Sequence, residues 1–324
     1  MLSSPRRYAF AEKFATLGAG ATILALATGL LDSGWVPDLL SHFRVQYAVL
    51  LAGFVVMLAL LRRYLFAGIC AVACGLAVWS IAQYVRPSEP AETSDWPSDF
   101  RLMSYNVWFR TNGEQRVADY LEQSGADVIV LQELTRARAE KLRALLPSYP
   151  HAYLDAAQPH GTAIFSRWPV ASAAPLALGT GGSRASLVRI RWRGVEVTVL
   201  GVHIHWPITP GTYALRNTEL AALAEFARTQ AGPLLISGDL NATPWSPHFR
   251  EAVEASGLTD CARGYGLLTT WPSQVPPLGL RLDHCLVSKH WRTTTITTGP
   301  RLGSDHVATI ANLAFRPAPE SDSE

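Results

Sequence analysis

Short apolar runs recur between residues 101 and 316, and most of them meet a polar side chain at one end. MSYN closes on Asn106, VIVLQE on Glu133, VLGVH on His203 and LLISGDLN on Asp239 and Asn241, while RLDHCLV and LGSDH supply Asp283, Asp305 and His306. Apolar runs of this length bounded by turn residues read as buried strands. A polar group at the end of each is delivered to one rim of a sheet. Few folds bring so many distant polar groups to one place, so this pattern constrains the architecture more than any other feature.

The spacing predicts strands at 101–107, 127–132, 162–166, 186–192, 195–203, 233–238, 281–287 and 306–314. It predicts helices at 114–123, 136–146, 214–229 and 246–255, and a loop over the small-residue stretch 171–185. Strands of alternating polarity (LVRIRW, VEVTVL) occur beside continuously apolar ones (VIVL, LLIS), which fits mixed sheets covered by helices in an α/β fold. In RIRWR, Arg189, Arg191 and Arg193 alternate with Ile190 and Trp192, as on a strand with one solvated face.

The first 85 residues are different. Apolar stretches cover 14–31, 46–61 and 64–84, the last two without charge. Each approaches the roughly 20 residues needed to cross a bilayer, so three transmembrane helices are expected. One cleaved signal peptide would explain only the first stretch; a buried helical hairpin is the alternative. Arg6, Arg7 and Lys13 precede the first stretch, and Arg62 and Arg63 separate the second from the third. That bias puts the N-terminus in the cytoplasm and everything after residue 85 outside. The expected organisation is therefore a membrane anchor over 1–85, a Pro-, Ser- and acid-rich linker over 86–100, a catalytic domain over 101–316 and a disordered tail over 317–324. A linker of that length reaches at most about 50 Å, which keeps the domain near the membrane.

Residues 101–324 carry 21 Lys and Arg against 19 Asp and Glu. So small an excess is no footprint for gripping a polyanion. Cys70 and Cys74 lie in the third apolar stretch, and Cys261 and Cys285 in the outer domain, where an oxidising space would permit a disulfide. No cysteine or histidine spacing suggests zinc.

Hydrolysing a phosphate ester requires charge neutralisation on phosphoryl oxygens, an activated water and help for the leaving group. Magnesium, or manganese in its place, meets the first need through a few oxygen ligands. Glu133 is the best single ligand candidate, with Asn106 offering a neutral oxygen and Asp305 a second carboxylate. Asp239 and Asn241 are two apart and share a strand face, so one can orient water while the other donates to the phosphoryl group. His306, paired with Asp283, would be held in one tautomer and kept more basic. Taken singly, each residue also fits a blander role as a cap, a turn residue or a packed histidine.

Together, YNVW, QE, GTAIFSRWP, VHI, GDLNATP, RLDH and GSDH resemble the motif series of the endonuclease/exonuclease/phosphatase superfamily, over about residues 100–315. The resemblance implies a four-layer α/β sandwich, two mixed β-sheets flanked by helices, here preceded by the transmembrane helices. It implies metal binding by Asn106 and Glu133 with help from Asp305, and phosphate contact by His203. Asp239 would align the nucleophile, Asn241 support the transition state and Asp283 orient His306. The membrane spans and GDLNATPWS further resemble bacterial membrane-anchored members. HIHWP departs from the pattern by carrying a second histidine, so His203 and His205 both remain candidates for the phosphate contact, with His203 favoured.

These readings lead to a metal-dependent phosphoesterase anchored in the bacterial inner membrane, acting outside it on a phosphate ester or pyrophosphate that tethering suggests is lipid-linked. Membrane lipid is its expected partner, and no protein partner is predicted. Nuclease action is the alternative: Trp108, Trp206, Trp245 and Trp271 could stack on bases, but the near-neutral domain disfavours a nucleic-acid substrate. A non-catalytic binding module is a third reading, weakened because all eight residues are present.

Overall fold

The apolar stretches of the first 86 residues fold as helices in a computed structural model of the chain, which describes residues 5–86, 98–110, 113–155 and 161–316. Most of the expected linker, residues 87–97, and the expected tail, 317–324, lie outside the described residues. Two units are distinguished, Met1–Arg86 with Pro244–Pro247, and Pro87–Thr243 with His248–Glu324.

The first unit contains α1 (Pro5–Thr28), α2 (Trp35–Ser41), α3 (Arg44–Leu60) and α4 (Tyr64–Val85). Leu51, Leu58, Ala73 and Ala77 are buried among these helices, whereas Leu24, Val49, Leu65, Val72 and Trp79 stay exposed. Helices that are apolar all round suit lipid rather than water, and small residues such as Ala73 and Ala77 let backbones approach closely. Among the described residues two helices, over Tyr8–Thr28 and Tyr64–Val85, are long and apolar enough to cross a membrane. The stretch expected as the second span is shorter. At 17 residues α3 rises about 25 Å, and it counts as a span only together with α2, from which it is bent by 67°.

The second unit is built from twelve strands and four helices among the described residues. One sheet contains β1 (Ser98–Asn106), β2 (Val128–Leu134), β3 (His151–Leu154), β4 (Gly161–Ser166), β11 (Trp291–Thr298) and β12 (Thr309–Phe315), in the order β11-β12-β1-β2-β4-β3. The other contains β5 (Val170–Ala177), β6 (Arg184–Trp192), β7 (Val195–His203), β8 (Leu234–Asp239), β9 (Thr259–Asp260) and β10 (Asp283–Val287), in the order β5-β6-β7-β8-β10-β9. Each sheet is mixed, with one parallel pair at its centre: β1 with β2, and β7 with β8.

Side-chain alternation explains the layering. Leu102, Val128 and Val130 face inward and meet Val188, Val197, Val199 and Leu235 of the opposite sheet. Their neighbours Met103, Ile129 and Leu131 face outward against α5 (Glu114–Gln123) and α6 (Arg136–Leu145). On the other side, Leu200, Val202 and Ile236 pack under α7 (Pro210–Arg228) and α8 (Pro247–Ser256). The result is the expected four-layer sandwich. Cys261 and Cys285 are free, buried thiols; Cys261 N–H donates to the Cys285 carbonyl at 2.8 Å.

Two local expectations are corrected. Residues 170–177, expected mainly as loop, form β5, paired antiparallel with β6. This strand lies at a sheet edge with most of its small side chains exposed, so it lacks the apolar alternation that marks a half-buried strand. Helix α7 begins at Pro210 rather than 214. Thr209 and Thr212 form a capping box there, with Pro at the start of the first turn, an arrangement suited to helix initiation.

Candidate active site

The two parallel pairs β1/β2 and β7/β8 bring their C-terminal ends to one rim. Strands β12 and β10 run antiparallel to β1 and β8, so they start at that rim. Register does the rest: His203 pairs with Asp239, and Asp239 lies opposite Asp283. Between the sheets, Asn106 Nδ2 donates to Glu133 Oε1 at 3.0 Å and to Asp239 Oδ2 at 3.1 Å. Glu133 leaves the strand alternation through a register shift between Leu131 and Leu134 and a φ of 59°. Left-handed backbone is costly for a residue with a Cβ, and here it helps turn the carboxylate into the cleft.

His306 is the centre of the electrostatics. Its Nδ1 lies 2.7 Å from Asp283 Oδ2 and its Nε2 3.6 Å from Asp239 Oδ2. Burial alone would lower the imidazole's pKa, but Asp283 and then Asp239 push it up to about 10. Burial pushes the Asp239 carboxyl up to about 6, with Asp283 adding to the rise and His306 opposing it. For Asp283, burial is overcome by His306 and the net direction is down. His203 Nε2 stands 3.8 Å from Glu133 Oε1 and 3.9 Å from Asp239 Oδ2. Asn241 N–H donates to Asp239 Oδ1 at 2.9 Å, and its side-chain Nδ2 donates to the Ile204 carbonyl at 2.8 Å.

These groups open on a cleft of about 430 Å³, lined by Glu133, His203, Asp239, Asn241, Asp305 and His306 together with Trp108, Phe109, Trp206 and Trp271. The structure thus brings all eight expected residues together, with Asn106 and Asp283 touching the lining groups from behind. It also resolves the two histidines spatially. Both line the cleft, but His203 faces the carboxylate cluster, whereas His205 pairs with Glu219 through an Nδ1···Oε1 contact of 2.5 Å.

Several contributing residues went unread in the sequence. Thr270 Oγ1 accepts from the Leu282 and Asp283 amides and so fixes the start of β10. Trp271, read from the sequence only as a ring that could stack on bases, donates through Nε1 to Asp305 Oδ2 at 3.1 Å. Beneath the site, buried Arg281 binds Asp260, and His284 Nε2 lies 2.7 Å from the Ala242 carbonyl in the turn that carries Asn241. Burial opposes ionisation of Asp260, but Arg281 holds its carboxyl well below the usual carboxylate range. Glu219 did have a signal: Arg216 and Glu219 lie in phase with Leu220 and Leu223 on the buried stripe of α7.

The donors fit a divalent cation. Asp305 Oδ1 is buried with no hydrogen-bond partner among the described residues, and two carboxylates with an amide make a hard oxygen set. Asp239, Asp283 and His306 also offer atoms within 4.8 Å of one another, close enough to hold a metal. A cation bound there would compete with the Asp283–His306 hydrogen bond.

The profile of the Endonuclease/Exonuclease/phosphatase family matches residues 103–306. No match was found among curated proteins. Solved structures share the fold. An endonuclease/exonuclease/phosphatase from Beutenbergia cavernae is 19% identical, with a TM-score of 0.56, covering 68% of this chain and 73% of its own. A mannosyl-6-phosphatase from Bacteroides thetaiotaomicron is 18% identical, with a TM-score of 0.55 over 67% of this chain and 100% of its own. A beta toxin from Staphylococcus aureus is 19% identical, with a TM-score of 0.51 over 66% and 99%.

Proposed function

The chain belongs to the endonuclease/exonuclease/phosphatase family and is a metal-dependent hydrolase of phosphoester bonds, and we propose that it cleaves a lipid-linked phosphate ester or pyrophosphate outside the bacterial inner membrane. The observation that supports hydrolysis is the Asp283–His306–Asp239 series meeting Glu133 and His203 in one cleft. Asn106, Glu133 and Asp305 would hold magnesium or manganese, which when bound neutralises charge on the phosphoryl oxygens.

The chain's own groups do the remaining work. Asp239, poised near neutrality, aligns the attacking water and takes its proton. His306, kept protonated by Asp283 and Asp239, stabilises the negative charge that grows on the phosphoryl group. His203 contacts the same group. Asn241 spends one amide N–H on Ile204 and keeps the other for a phosphoryl oxygen.

The lipid reading rests on the apolar N-terminal helices and on exposed Phe109 and Trp206 beside the cleft. Phosphate release from vesicles carrying a polyprenyl pyrophosphate tests it. Glu133→Ala, or chelation of magnesium in the wild type, should lower the rate on the order of 10²–10³-fold; equal rates would remove the idea. A nuclease reading draws on Trp108, Trp206 and Trp271 in the same cleft. Plasmid nicking in magnesium at a turnover matching the vesicle assay would favour it instead.

Orientation follows from Arg6, Arg7 and Lys13 before α1, and Arg62 and Arg63 between α3 and α4. With three spans the catalytic unit faces outward. An alkaline phosphatase fused after residue 316 should then be active in living cells, and a green fluorescent protein fused there dark after Sec export. The opposite pattern would place the catalytic unit in the cytoplasm.

A further inference from the structure

His205 lies outside the group of eight, yet it lines the cleft and is held more firmly than an incidental surface histidine. Glu219, on α7 and 0% exposed, receives the His205 backbone N–H on Oε2 at 2.9 Å and contacts the ring's Nδ1 through Oε1 at 2.5 Å. Ser183 Oγ lies 3.0 Å from the same ring nitrogen. A carboxylate can only accept, so Nδ1 carries a proton and donates it to Glu219. The other nitrogen, Nε2, is thereby the one left to hydrogen-bond a bound group. Burying a carboxylate is costly unless it is well bonded, and the bonds seen here spend that carboxylate on orienting one imidazole.

The surroundings indicate what such a nitrogen meets. His203 and His306 lie against the carboxylates that flank the phosphoryl position. His205 has its own acid and stands beside Trp206. That indole is 55% exposed, lines the same cleft and packs edge-on to Trp271 with ring centroids 6.5 Å apart. A flat aromatic face next to a fixed hydrogen-bonding nitrogen suits a group with C–H faces and hydroxyl edges.

We infer that His205, positioned by Glu219, makes a hydrogen bond through Nε2 to a hydroxyl on the group esterified to the phosphate, so that the cleft prefers polyol or carbohydrate phosphate esters to plain alkyl ones. This rests on the hydrolase reading for its phosphoryl site. For a lipid-linked substrate, the hydroxyls belong to the headgroup. Glu219 acts through His205 and is a positioning residue; His205 is the substrate contact.

The test is calorimetric titration of the full-length protein in detergent micelles with magnesium. The probes are the non-hydrolysable phosphonate analogues of glucose 6-phosphate and of cyclohexylmethyl phosphate, which differ chiefly in hydroxyls. Wild type should bind the glucose analogue about tenfold more tightly, the worth of one well-placed hydrogen bond. In His205→Ala and Glu219→Gln the two affinities should converge to within about twofold, while the cyclohexyl analogue binds as before. His205→Gln, which restores a hydrogen-bonding group, should regain part of the preference. Equal wild-type affinities, or a preference that survives His205→Ala, would overturn the inference. So would an equal loss of both ligands in His205→Ala and His205→Gln. Turnover of the two parent phosphates is read separately: a wild type that binds with the stated preference but hydrolyses no phosphate ester would instead count against the hydrolase reading.

Discussion

Replacing His306 with Ala should lower phosphate release by about 10³-fold or more while leaving the protein folded. The imidazole is in contact with both Asp283 and Asp239, so its loss removes a charge donor and releases two buried carboxylates together. The pH profile follows from the same geometry. With its pKa near 10, His306 stays protonated through neutrality, and activity that needs its charge falls as pH rises through that value. The folded-state pKa lies above the ordinary value of about 6.5. The pair's contribution to stability is therefore complete below about 6.5 and is lost as pH climbs from there to about 10. On the acid side, Asp239 must be ionised to take a proton, so activity falls as pH drops through about 6. A cation bound nearby favours the carboxylate and should move this acid limb lower. Rate measurements from pH 5 to 11, at two magnesium concentrations, check both limbs. A profile unchanged in His306→Ala would show that the imidazole does not carry the upper limb.

Gly238→Ala should destabilise the catalytic unit by on the order of 4 kcal/mol or more. Gly238 sits one residue before Asp239 at φ 149°, and a Cβ there would lie 1.9 Å from the Val202 carbonyl oxygen. That oxygen belongs to the neighbouring strand of the parallel pair β7/β8, so relief requires moving the backbone that carries His203. A Cβ added at Gly232 meets nothing within 4 Å, which makes Gly232→Ala the matched control. Thermal unfolding of the two variants decides the point: similar midpoints would mean that the strands give way easily. A folded but inactive Gly238→Ala protein would place the damage at the rim rather than in the sheet.

What could be read from the sequence follows burial. Asn106, Glu133, His203 and Asp239 close apolar strands at the sheet centres, where both faces are covered and the pattern is strong. The strands that escaped notice, β3, β5, β9 and β11, are the four sheet edges. An edge strand has one hydrogen-bonded neighbour and less to bury, so WRTTTITT and VASAAPLA carry little apolar signal. The Arg189 and Arg191 face was legible because alternation with buried Ile190 and Trp192 is a local property; Arg193, expected on the same face, instead falls in the turn after β6 at a φ of 47°. The Glu219–His205 contact was legible only in part: helical phase puts Glu219 on the buried stripe of α7, but no local spacing encodes which strand end that carboxylate meets. Likewise, that Trp271 would reach Asp305 depends on the path of a long loop rather than on any repeat.

Asp239 and Asp283 face each other across neighbouring antiparallel strands, and His306 reaches both. Side chains alternate from one face of a sheet to the other, so a slip of β10 by a single position would turn Asp283 away from the histidine. Misassembled molecules would then be catalytically silent rather than merely slow. The fraction of correctly paired protein after refolding should therefore be countable directly from recovered activity.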